Sequence, residues 1–204
     1  MRRFGRLAAL LFALAGLLSG APSSQGGSDD VRMKYLWSQI RDRLQQQNDI
    51  WFDVGDFPRC IQTLRLMVVV YPGDYQNATN LGWLLESIEE DDEALSVYIR
   101  YRNQNPEDPD GAWPEANFYF QKKAFAKIPS LLESAIKRRP APHPNTFRTL
   151  AHAYERLGLL KDSKRVWEAL LALTPNDGAA KRNLERVNSK ISGGGSPPPA
   201  RTRG

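Results

Sequence analysis

Cysteine occurs once and histidine twice in 204 residues, and each scarcity removes a class of protein. With Cys60 alone, neither an intrachain disulfide framework nor a Cys-rich zinc site can form. Set among Pro58, Ile61 and Leu64, this cysteine reads as a small buried apolar residue. No HExxH, GxSxG, Walker loop or GxGxxG is present, and Cys60 has no sequence-visible base. Asp53 and Asp56 pair only by spacing and flank a turn at Gly55, which is weak ground for acid-base chemistry. We expect no catalytic residue, no bound metal and no cofactor, and the chain reads as a non-enzyme.

An excess of charge in the folded part is also lacking. The net charge is +5 and the sequence pI about 9.4, but Arg2, Arg3, Arg6, Arg201 and Arg203 lie in the extreme tails. Without them the centre carries 23 basic and 23 acidic residues, so no nucleic-acid partner is expected. The one apolar run, Leu7 to Leu18, is shorter than the about 20 residues that a spanning helix needs. It follows three arginines and precedes small and polar residues, the layout of a secretory signal. We expect a signal peptide over 1–21, a flexible linker over 22–28, and a periplasmic or secreted location. Pro22 sits badly for cleavage after Ala21; an uncleaved signal leaves the protein tethered to a membrane, and a cleaved one leaves no stable span. No cysteine stands directly after the apolar run, so no lipoprotein anchor is expected.

Alternating period-two stretches are missing as well; the apolar spacing is helical. Ala78, Leu81, Gly82 and Leu85 stand at i, i+3, i+4 and i+7, on one helix face. Breakers fall where helices must end: Pro72, Pro106 and Pro140 are each 34 residues apart and Pro175 follows after 35. Such a period marks stacked repeats. Pro114 and Pro129 fit the first turns of helices, where a missing N–H costs nothing. Glu89 to Glu93 (EEDDE) suits the start of the following helix, since it lacks EF-hand spacing.

The stretches Ala78 to Pro106 and Phe147 to Pro175 resemble the tetratricopeptide pattern, W-x2-L-G-x2-Y then A-x3-F then P. Ala78, Leu81, Gly82, Leu85, Ala94, Tyr98 and Pro106 match in one. Phe147, Leu150, Ala151, Tyr154, Ser163, Trp167 and Pro175 match in the other. The unit ending at Pro140 is looser, with Ile128 in a small-residue place. The unit ending at Pro72 is looser again, keeping Leu44, Trp51, Cys60 and Leu64. The resemblance implies an all-α fold, an α-solenoid of about four helix-turn-helix repeats over 29–191. The repeats fall at 41–74, 75–108, 109–143 and 144–177, with a capping helix at 178–191 and a Gly/Pro-rich tail at 192–204. Val31 to Ile40 reads as a helical extension able to cover the front end.

The resemblance further implies a concave groove lined by the first helix of each unit. Beside the packing stripe these helices carry a second one that includes Phe52, Trp83, Trp113, Asn117, Phe120, Arg148 and His152. Exposed aromatics and arginines are the usual anchors for a partner, and packing inward is the competing role of each ring. Asn117, Arg148 and Arg156 suit a peptide carboxylate, although the Lys/Asn set of carboxylate-clamp tetratricopeptide domains is incomplete. The expected function is that of an exported adaptor binding a peptide or protein in the groove. The alternative is a structural subunit of an envelope or secretion assembly that uses the same surface permanently.

Overall fold

The structure is a computed structural model that describes residues 25–193. The expected signal, 1–21, and the tail from residue 194 lie outside the described residues. The chain divides into two compact units, 1–49 and 50–204. The described part of the first is a single helical run, residues 25–49 of α1 (Gln25–Asp53). It begins inside the segment expected as linker, so residues 25–28 are helical. No proline stands between Pro22 and Pro58, and Gly26 and Gly27 each disfavour a helix by only about 1 kcal/mol. Val31, Tyr35, Leu36 and Ile40 of this run are exposed.

The second unit takes in the end of α1 and then α2 (Phe57–Val70), α3 (Tyr75–Ser87), α4 (Asp91–Gln104) and α5 (Trp113–Gln121). It continues with α6 (Ile128–Leu132), α7 (Pro144–Arg156), α8 (Leu160–Leu173) and α9 (Gly178–Ser192). The described residues are all-helical, without strands. Each helix packs on the next, α2 on α3 through α8 on α9, and α5 also packs on α7. This is the helix-pair stacking of an α-solenoid.

Local chemistry explains the boundaries. Asp56, Asp74 and Asp177 cap α2, α3 and α9, their carboxylates accepting backbone N–H groups of Arg59 at 3.3 Å, Asn77 at 3.0 Å and Ala179 at 3.0 Å, which satisfies donors that no helical carbonyl reaches. Asp91, Asp92 and Glu93 occupy the first turn of α4, where the helix dipole favours negative charge. At the other ends Tyr71, Asn105 and Thr174 share one conformation, φ −124° to −129° and ψ 61° to 75°. Each precedes a periodic proline, whose ring pushes the preceding residue out of the α region. Pro72, Pro106 and Pro175 are therefore helix stops. Pro114 and Pro129 stand in the first turns of α5 and α6.

The third repeat departs from its neighbours. Its second half is a five-residue α6 between two 3-10 turns, Phe125–Lys127 and Ala135–Lys137. Fully buried Ile128 occupies the place that Ala94 and Ser163, also fully buried, hold in the adjacent repeats. A branched residue there keeps the paired helices from the approach that Ala and Ser allow.

That approach is close at Gly82. A Cβ on Gly82 would lie 2.2 Å from the Tyr98 ring, so the glycine is required by packing and the tyrosine fills its vacancy. The Tyr98 hydroxyl donates to Glu86 at 2.7 Å, and burial pushes its pKa well above the ordinary range. Trp167, fully buried, plays the corresponding part in a core with Phe147, Leu150, Ala151 and Val166.

Gly82→Ala sets helix propensity, a gain of about 1 kcal/mol, against overpacking of about 1–3 kcal/mol. Because the ring is buried and hydrogen-bonded at its far end, overpacking wins. The urea midpoint followed by circular dichroism falls in this variant; a raised midpoint would show that the ring yields freely.

Candidate protein-interaction surface

The end of α1 places a group of exposed rings. Gly55, at φ +78°, closes the helix in the left-handed conformation that glycine adopts without strain. The Asp56 N–H donates to the Trp51 carbonyl at 2.8 Å, so the chain reverses tightly into α2. This brings Phe57 beside Phe52, ring centroids 5.6 Å apart and near perpendicular at 73°. Trp83 of α3 lies on the other side of Phe52, at 6.1 Å and 45°. Phe52 is 44%, Phe57 40% and Trp83 54% exposed. Three large rings held this open form an apolar patch on a rigid base, with little rotamer freedom to lose on binding a partner.

The remaining candidates are engaged elsewhere. Half-buried Trp113 donates its indole Nε1–H to Thr149 Oγ1 at 3.1 Å, and the Phe120 ring packs edge-on against Phe125 at 5.2 Å. Asn117 is half-buried. The Arg148 guanidinium donates to Asp177 at 2.7 Å and to Asn145 at 2.8 Å, which ties α7 to the cap of α9. His152 stands edge-on to Trp167 at 5.0 Å. Burial and then nearby Arg186 lower its pKa, so the imidazole is neutral at neutral pH. Arg156 is exposed, its guanidinium carbon 6.0 Å from the Phe125 ring centre. The structure therefore groups Phe52 with Trp83 and does not gather Asn117, Arg148 and Arg156 into an open anion site. Phe57 went unnoticed in the sequence; the signal for it is Gly55 in a Phe-x2-Gly-x-Phe stretch, a turn that returns one ring to another.

Carboxylates neighbour the ring residues in sequence. Asp53 is exposed and Glu86, one turn beyond Trp83, is half-buried. The neighbouring cations are already matched: Arg59 lies 3.3 Å from Asp56, and Arg65 donates to both oxygens of Glu93 at 2.7 and 2.5 Å. Elsewhere a polar cleft of about 280 Å³ opens between the end of α4 and α6, lined in part by Arg102, Asn105, Ser130 and Arg138. Arg102 is held there by Glu115 at 2.7 Å and Arg138 by the Pro106 carbonyl. Among the described residues, no group of three His, Cys, Asp or Glu side chains is arranged to hold a metal. No described helix is long and apolar enough to cross a membrane.

Stacked helix pairs with small-residue contacts and proline stops define the tetratricopeptide-like fold. Solved structures agree in fold. The crystal structure of MamA superposes with a TM-score of 0.60 at 13% identity, covering 74% of this chain and 82% of MamA. A tetratricopeptide repeat protein from Parabacteroides merdae gives 0.62 at 18% identity, over 76% of this chain and 61% of its own. The first tetratricopeptide domain of Spaghetti (RPAP3), solved with the HSP90 peptide SRMEEVD, gives 0.50 at 23% identity, over 56% of this chain and 93% of that one. No protein-family model and no curated protein sequence matches the chain.

The Asp177 contacts carry a pH dependence. Hydrogen bonds from the Ala180 N–H and then from Arg148 hold this carboxyl below the usual carboxylate range. A depressed folded pKa contributes stability above the unfolded value, and that contribution is lost as pH falls through the folded value. The melting temperature should fall as pH drops from about 5 toward 2, and Asp177→Asn should flatten part of that fall. At pH 7 the same variant should lose about 1 kcal/mol, as for a weakened cap. An unchanged pH profile would remove Asp177 from the account.

Proposed function

We propose that the protein is an exported, non-catalytic adaptor that binds a peptide or extended protein segment across the first helices of its repeats. The observation that carries this reading is the open ring cluster Phe52, Phe57 and Trp83, the largest aromatic side chains left accessible in a unit that otherwise buries its rings or ties them to neighbours. A soluble protein leaves such a patch open where a partner covers it. The peptide-bound Spaghetti (RPAP3) domain supports the class of partner by likeness of fold. Export rests on the three arginines and apolar run at the chain's start.

A second reading, a permanently assembled structural subunit, is favoured by α2. Opposite its buried stripe of Cys60, Ile61, Leu64, Met67 and Val68 this helix exposes Leu66, Val69 and Val70. A second apolar face suits a fixed interface. Sedimentation velocity separates the two: a monomer at micromolar concentration supports the adaptor, and a stable oligomer that Leu66→Gln/Val69→Gln dissociates supports the subunit.

Phe52→Ala/Trp83→Ala should weaken partner capture by tenfold or more, since aromatic anchors contribute about 2 kcal/mol or more each. Its circular dichroism and melting temperature should stay near those of the parent because both rings are largely outside the core. Capture that survives this variant would remove the patch from the binding surface.

A further inference from the structure

The rings of this protein differ in one respect that bears on the partner's chemistry. Trp51 has the Arg59 guanidinium carbon 5.9 Å from its centroid, and Phe118 has the Lys122 ammonium at 5.5 Å. Tyr119 has Lys127 at 4.4 Å and Phe125 has Arg156 at 6.0 Å. Among the described residues no such cation stands over Phe52, Phe57 or Trp83, three exposed rings that carboxylate residues neighbour in sequence. Asp53 is exposed next to Phe52. Glu86 follows Trp83 by one turn and accepts only the neutral Tyr98 hydroxyl, through Oε1. Exposed Glu89 ends the same helix in a left-handed turn at φ +65°. The basic residues nearby bring no surplus, because Asp56 and Glu93 neutralise Arg59 and Arg65.

We propose that the patch formed by Phe52, Phe57 and Trp83, with Asp53 and Glu86 at its rim, is a subsite for a Lys or Arg side chain of a peptide whose neighbouring residues are apolar. This rests on the peptide-binding reading above and specifies its partner. Ring faces attract a cation through their quadrupole, and the attraction strengthens as water is excluded. The carboxylates add a charge-assisted acceptor for the N–H donors and penalise an acidic segment. The apolar ring edges take the aliphatic stem of Lys or Arg together with the adjacent side chains. A carboxylate-bearing segment meets the reverse at this site, the negative charges of its rim.

The test is fluorescence anisotropy on the full chain with two labelled ten-residue probes of identical Leu and Val content, one carrying Arg at alternate positions and the other Glu. The basic probe should bind roughly tenfold more tightly than the acidic one. That preference should shrink as salt is raised from about 50 mM to 500 mM. Asp53→Asn/Glu86→Gln should abolish most of the preference while leaving circular dichroism unchanged, and Trp83→Ala should abolish binding of both probes. Equal binding of the two probes, still dependent on Trp83, overturns the cation subsite and leaves the peptide-binding reading standing; preference for the acidic probe does the same. Failure of both probes to bind, or binding indifferent to Trp83→Ala, overturns both.

Discussion

Close approach of paired helices is the constraint on which the stack depends, and it is met by leaving out atoms at one position and supplying them at another. Gly82 has no side chain and Tyr98 fills the space; a Cβ would stand 2.2 Å from the ring. In the last repeat Ala151 and Trp167 share one core under the same arrangement. Each helix pair buries its apolar face only against its neighbours, so stability accumulates along the array and the two ends meet different fates. At the C-terminal end α9 covers the last pair with Ala180 and Val187, both fully buried, and turns its lysines and arginines outward. At the other end α2 and the close of α1 keep apolar and aromatic side chains exposed.

Ion pairs follow the same period. Arg65 reaches Glu93, Lys122 reaches Asp91, Arg165 reaches Glu133, and Arg186 and Lys190 both reach Glu155. These partners lie 28 to 35 residues apart, close to one repeat. Exposed pairs of this kind contribute about 0–1 kcal/mol each, so they tune the register of adjacent units more than they hold the fold. They also have a functional consequence: Arg65, Lys122, Arg165, Arg186 and Lys190 are each occupied by a carboxylate. Charge left over at the front is therefore negative, and it lies beside the rings that nothing covers.

Much of the fold could be read from residue spacing, because the constraints behind it are local. The proline interval marks helix stops through a steric effect on one preceding residue, seen alike at Tyr71, Asn105 and Thr174. The small residues Gly82, Ala94 and Ser163 and the large Tyr98 and Trp167 are buried where the repeat pattern puts them. The site was less legible, since exposure depends on which neighbour reaches a side chain. Trp83 and Trp113 lie in successive first helices, yet Thr149 takes the Trp113 indole and Trp83 stays open. Arg148 looked available until Asp177, 29 residues away, was brought to it. Phe57 joins the patch only because Gly55 turns the chain back on itself, and residues 25–28 extend a helix although their composition suggests linker.

The front rings are the proposed place where a partner is held. The most direct measurement is the indole N–H region of a nitrogen-15 correlation spectrum, in which the five tryptophans report separately. On titration with the Arg-bearing probe, the Trp83 indole should shift progressively to saturation while that of Trp167, fully buried in the core, stays in place. A saturable interaction in which Trp83 does not move, and other residues do, would contradict it.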